Sequence, residues 1–301
     1  MIRIICGQRK DMKAKSRQSG ISLTEMTVVV AIVAIVAGFG LPAVRALVKS
    51  FETEGGTRTM ISSAMASARA IAAKEQRYAG IRFQQKYNPD DPDPLKAPQY
   101  MIFIIHDPAP GPHGTGLVHG FRAVEGLEPM KLPETVGVMD LTIVTDRNVQ
   151  RIENTLEVSL DRPGAALNDQ QKDDLINEDF EVRDTATFSI IFSPSGRMVV
   201  HPVRVRNKHG QGDSPSYGPS DDDVFNKKAD VDMGVGMFYQ DDYFDPYPDL
   251  AIGPEPSRNR FTIYDKEDLR RAYEGAAAWS KYLRGLEVFY INPYTGTIIN
   301  R

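Results

Sequence analysis

One cysteine, Cys6, and one tryptophan, Trp279, are all that the 301 residues hold of those two types. A lone thiol excludes an intrachain disulfide framework, so packing alone must hold the folded part together. The motifs of common enzymatic chemistry are missing too. There is no glycine-rich phosphate loop, no H-E-x-x-H helix, and no G-x-S-x-G elbow around Ser193 or Ser195. Three of the five histidines, His106, His113 and His119, share one stretch of glycine and proline, but not at the spacing of a zinc site. Asp221, Asp222 and Asp223, followed by Asp230, Asp232, Asp241, Asp242 and Asp245, lack the D-x-[DN]-x-[DN]-G order of a calcium loop and read as a solvated surface. The expectation is a protein that is not an enzyme and takes no cofactor or metal.

Positive charge is not in excess. The formal net charge is −4, and residues 1–20 hold six basic side chains against one acid, so without them it falls to −9. A chain this acidic lacks the broad basic field of a general nucleic-acid binder, and no nucleic acid is expected. No internal repeat is present.

What the chain does have is one long apolar run. In "SGISLTEMTVVVAIVAIVAGFGLPAV", residues 19–44, Glu25 is the only ionisable side chain from Ile21 to Val44. A helix of 24 residues reaches about 36 Å, enough to span a bilayer. The basic flank before it, Arg3, Arg9, Lys10, Lys13, Lys15 and Arg17, is of the kind that stays cytoplasmic. This predicts a single-pass inner-membrane protein with its N-terminus cytoplasmic and its head extracytoplasmic. A cleavable secretory signal has a shorter apolar core, a plain signal anchor gives Glu25 no role, and a buried soluble helix leaves the basic leader unexplained. An acid near a helix centre in lipid costs at least ~2.5 kcal/mol, less near the helix start, where the dipole favours it.

The basic leader, Gly20, the stretch Ile21-Ser22-Leu23-Thr24-Glu25 and the β-branched helix with Pro42 together resemble the signal of type IV pilins and type II secretion pseudopilins. The resemblance implies cleavage by a prepilin peptidase between Gly20 and Ile21 and N-methylation of Ile21. It implies that Glu25 pairs with the N-terminal ammonium of a neighbouring subunit, setting register during assembly. The family usually starts its mature chain with phenylalanine, where this chain has Ile21. The 20-residue leader is long, and Met12 heads a nine-residue leader of the usual kind, a second candidate start. Implied partners are the peptidase, other pilin or pseudopilin subunits, an inner-membrane assembly platform and lipid.

Beyond the run, Pro42 should kink the helix, and Gly55-Gly56 marks an expected break. Ile61, Ala64, Met65, Ala68, Ile71 and Ala72 then recur at helical spacing and predict a face packed on the head. From Tyr78 the pattern becomes that of strands: 78–84, 99–106, 136–144, 186–192 and 197–206, with "SPSGR" (193–197) as a hairpin turn. A strand at 260–265, a helix over 266–283 and strands at 286–292 and 296–300 around a "NPYTG" turn close the chain. Residues 88–99, 106–116 and 207–258, rich in turn formers, read as long surface loops.

The alanine-rich 62–83, "LPETVGV" (132–138) and "FSIIFSPSGR" (188–197) look like the minor pseudopilin H group of type II secretion, with its FimT relatives. That resemblance implies an α+β, pilin-like fold, a long N-terminal transmembrane and stalk helix packed on an antiparallel β-sheet head. The expected divisions are a cleaved leader (1–20), a transmembrane helix (21–44), an amphipathic stalk (45–77) and a β-rich head (78–301). The expected role is a minor pseudopilin-like structural subunit of a type II secretion pseudopilus, ending in a periplasmic or surface filament. A minor pilin of a type IV pilus and a signal-anchored binding protein that never polymerises are the alternatives.

Overall fold

The computed structural model describes residues 23–24, 26–33, 54–86, 95–107, 120–144, 157–159, 185–205, 223–226, 228–239, 255–274, 282–283 and 285–300. The chain divides into two units, Met1–Val48 and Lys49–Arg301. In the first, residues 23–24 and 26–33 are helical.

The second unit begins with α1 (Glu54–Glu75), which runs straight through Gly55-Gly56. The expected break is absent because the first turn of a helix has no intrahelical N–H bonds to lose. Along α1, Ile61, Ala64, Met65, Ala68 and Ala72 are buried, whereas Thr59, Ser62, Ser63, Ser67 and Lys74 face water.

Two sheets carry the rest. The larger has the order β13-β10-β3-β2-β1-β8-β9, with β4 (Met130–Lys131) also on β2. Its centre is β1 (Ala79–Gln85), β2 (Gln99–His106) and β8 (Phe188–Phe192), all antiparallel. Outside these lie β3 (Gly120–Ala123), β9 (Met198–Val199), β10 (Pro202–Val205) and β13 (Glu255–Pro256). The second sheet, order β16-β15-β14-β5, comprises β5 (Val136–Met139), β14 (Arg260–Asp265), β15 (Val288–Ile291) and β16 (Ile298–Asn300). Two small pairs complete the strands, β6 (Thr142–Val144) with β7 (Glu157–Ser159) and β11 (Phe225–Asn226) with β12 (Phe238–Tyr239).

Strand alternation sorts the side chains into two layers. Met101, Phe103 and Ile105 of β2 join Ile81 and Phe83 of β1 in the main core, shared with α1 and with Val136, Val138, Phe261 and Ile263 of the second sheet. Phe83 stacks on Phe188 at 4.7 Å between centroids, and Phe261 meets Phe289 at 5.6 Å. Such aromatic pairs add ~0.5–1.5 kcal/mol each beyond area burial. Ile102 and Ile104 point the other way, into a cluster with Phe121, Ile191, Val203 and Val205. Phe225 and Phe238 complete that cluster, so part of the expected 207–258 loop carries short regular structure: β11, β12 and α2 (Lys228–Asp232). Gly80 lets β1 and β8 meet closely, since a Cβ there would overlap the Ile190 carbonyl.

The larger sheet curls. The stretch expected as one strand, 197–206, splits into β9 at one end of the sheet order and β10 near the other. Pro202 has no N–H for a ladder, and the break falls just before it. The expected 136–144 strand also splits, where buried Leu141 takes a φ of 57° and the Asp140 carboxylate accepts the Thr142 N–H at 3.0 Å.

Two expectations are corrected. The pilin-like fold, a long transmembrane and stalk helix on an antiparallel sheet, is not what the chain adopts. Strand is the commonest regular structure among the described residues, the helices are few, and the curled sheet is mixed because β10 runs parallel to β3. The single-pass inner-membrane anchor is likewise not supported: among the described residues no helix is long and apolar enough to cross a membrane. α1 has the length, but its polar face disqualifies it.

Candidate functional site

Gly20, Ile21, Glu25 and Pro42, the residues assigned to processing, methylation, assembly and the helix kink, lie outside the described residues. Their described neighbours form a helix in which the Thr27 hydroxyl donates to the Leu23 carbonyl at 2.9 Å. Its apolar side chains are uncovered: Leu23 is 84% exposed and Val30 61%, with Met26, Val28, Val29, Ile32 and Val33 also open.

The sequence candidates in the second unit scatter. His113, His119, Asp221, Asp222, Asp241, Asp242, Asp245 and Trp279 lie outside the described residues. Asp230 is buried while Asp223 and Asp232 are exposed, so these acids do not share one environment. Ser193 and Ser195 bond to each other at 2.9 Å within their turn. His106 meets a histidine the sequence did not pair with it, His201, at 6.0 Å between ring centroids, with the Tyr78 ring against His201 at 4.4 Å and tilted by 42°. The His201 Nδ1 donates to the Pro202 carbonyl at 2.6 Å, which fixes its tautomer. Among the described residues no group of three or more His, Cys, Asp or Glu is placed to hold a metal.

A cleft of about 430 Å³ opens where three distant segments meet. The lead into β2 supplies Lys96 and Pro98, and the β4–β5 connection supplies Lys131, Glu134 and Thr135. The third wall is the corner between β14 and α3 (Lys266–Glu274), with Asp265, Lys266, Glu267 and Arg270. That corner is set by a cap: the Asp265 carboxylate accepts the N–H groups of Glu267 and Asp268 at 2.8 and 2.9 Å, starting the helix. Lys266 is buried, with its ammonium donating to the Ala97 carbonyl at 2.8 Å.

Four cations and three acids therefore share the cleft. The exposed pair Lys131–Glu134 closes at 2.6 Å. Its hydrogen bond holds the Lys131 ammonium above its ordinary range and, with the charge of Lys131 and more weakly that of Lys266, holds the Glu134 carboxyl below the usual carboxylate range. Arg270 reaches Glu267 at 3.6 Å. Sequence reasoning missed this cleft. "LPETVGV" pointed to a strand and to a family resemblance, not to a binding site, and nothing local joins Lys131 to Lys266.

No family model, no curated protein and no solved structure matches this chain.

Proposed function

We propose that the chain is a pseudopilin-like assembly subunit of a type II secretion pseudopilus. In this reading a prepilin peptidase cuts between Gly20 and Ile21, Ile21 becomes the methylated end, and Glu25 pairs with a neighbouring subunit's N-terminal ammonium. Subunits join through their apolar N-terminal helices. The observation that carries the reading is the uncovered helical stretch formed by residues 23–24 and 26–33, whose leucine, valine, isoleucine and methionine side chains are exposed within the single chain. A contiguous apolar surface of this kind marks an interaction site. The prepilin-type order of Gly20, Glu25 and Pro42 supports reading that interaction as assembly.

The test is intact mass and N-terminal sequencing of the protein from its host, with and without the prepilin peptidase. A chain starting at Ile21 with one added methyl, present only with the peptidase, supports the reading. Retention of residues 12–20 in both hosts overturns it. Replacing Glu25 with Ala should then abolish crosslinking between N-terminal segments while leaving the cut intact. Unchanged crosslinking would remove Glu25 from the assembly step.

A further inference from the structure

We propose that the cleft between the β4–β5 connection and α3 binds a small polyanion, carboxylate or phosphate in chemistry, and that Glu134 is a built-in competitor for it. This inference is independent of the assembly reading. A volume of about 430 Å³ lies within the range of small-molecule sites. Lys96, Lys131, Lys266 and Arg270 converge on it from three segments, in a chain whose net charge is −4. A concentration of cations against the sign of the whole molecule focuses anions there.

The acids in the cleft differ in what they do. Asp265 is committed to capping α3 through two N–H groups. Glu267 lies near two cations of its own helix, Arg270 at 3.6 Å and Arg271 at 3.5 Å. Glu134 alone reaches across to Lys131, with four-fifths of its side chain exposed, and it feels the charge of Lys266. An exposed carboxylate held by an exposed lysine is a weak pair, so an incoming anion with two or more acidic groups displaces it and engages Lys131, Lys266 and Arg270 together. The buried Lys266 is the fixed point, because its ammonium is already oriented by the Ala97 carbonyl.

The test titrates the full-length chain with citrate and, separately, with inorganic phosphate at low ionic strength, read by calorimetry. Glu134→Gln should tighten binding about two- to fivefold, the range a surface pair controls. Arg270→Gln should weaken it by a similar factor, and added salt should weaken it in every form. Citrate binding well above phosphate assigns the site to polycarboxylates, and the reverse order assigns it to phosphates. No saturable binding of either anion by the wild type and Glu134→Gln, or binding that ignores both substitutions, overturns the proposal. Thermal unfolding of each variant separates lost binding from lost folding.

Discussion

Gln99 is 1% exposed, and its side-chain amide replaces a missing neighbour strand. β5 is the outermost strand of the second sheet, which leaves the N–H and C=O of Val138 pointing away from β14. The Gln99 Oε1 accepts that N–H at 2.8 Å, and Nε2 donates to the Val138 carbonyl at 2.7 Å and to the Ala186 carbonyl at 2.8 Å. Gln99→Met keeps the length and apolar volume but orphans one buried donor and two buried acceptors. Three hydrogen bonds at ~1 kcal/mol each, plus the penalty for groups left dry, give a loss of about 3–5 kcal/mol. Against a total stability of ~5–15 kcal/mol that is a large share. Urea unfolding of the full-length chain measures it, and thermal unfolding should fall by roughly 10 °C. Thr59→Ala, which removes only an exposed hydroxyl bonded to the Gly55 carbonyl, is the control and should stay within about 0.5 kcal/mol. A Gln99→Met loss below about 1 kcal/mol would refute the idea that this side chain joins the two sheets.

Tyr264 is wholly buried, its hydroxyl has no hydrogen-bond partner among the described residues, and its ring lies where a Cβ on Gly137 would be. Tyr264→Phe should therefore be neutral or stabilising by up to about 1 kcal/mol, while Gly137→Ala should be severely destabilising; unfolding curves check both. Burial, and secondarily Tyr282, pushes the Tyr264 hydroxyl well above its ordinary range near 10. Above about pH 10 the unfolded chain loses that proton while the folded chain keeps it, so stability falls by up to ~1.4 kcal/mol per pH unit. The Phe variant should lack that component in a pH series of unfolding curves. Arg258 donates to the buried Asp140 carboxylate at 2.6 Å, so Arg258→Met alone should cost about 3–5 kcal/mol. The double change with Asp140→Asn should cost less, and equal losses would argue against a coupled pair. Ser257 donates to the Val199 carbonyl and accepts the His201 N–H, each at 2.9 Å. Ser257→Ala should cost about 2 kcal/mol and speed amide exchange at His201; unchanged exchange would deny it a role at the β9–β10 break.

Legibility followed the range of the interactions involved. β2 and β14 occupy the residues read from their runs, because a β-branched and aromatic sequence between turn residues is a local signal. The SPSGR turn was readable for the same reason: Gly196 takes a positive φ and Ser193 N–H bonds to the Arg197 carbonyl. Leu141 at φ 57° was not readable, since its side chain joins the cluster of Met139, Tyr264 and Leu269, drawn from distant positions. Phe225 and Phe238 sat in a stretch whose composition spoke for loops, and only the curled sheet supplies the apolar surface they cover. The cleft failed to show for a related reason, as Lys96, Lys131 and Lys266 each look like an ordinary solvated charge until the fold joins them.

The outer strands bear on how subunits would meet. A sheet edge is a template for another chain, yet at β5 the outward groups of Val138 are taken by Gln99. At the β9–β10 break the groups of Val199 and His201 are taken by Ser257, whose own N–H bonds to the His201 carbonyl. Arg82 adds a buried tie from β1 to Glu255 of β13, across the curl. Side chains and a returning segment thus occupy positions where a second copy would otherwise add a strand. Strand exchange at these two places would require breaking buried hydrogen bonds at β5 and part-buried ones at the β9–β10 break before new ones form. The apolar side chains of the helical residues 23–24 and 26–33 are already exposed among the described residues. Association through those exposed side chains is therefore favoured over strand addition at these two edges, since it breaks no hydrogen bond already made.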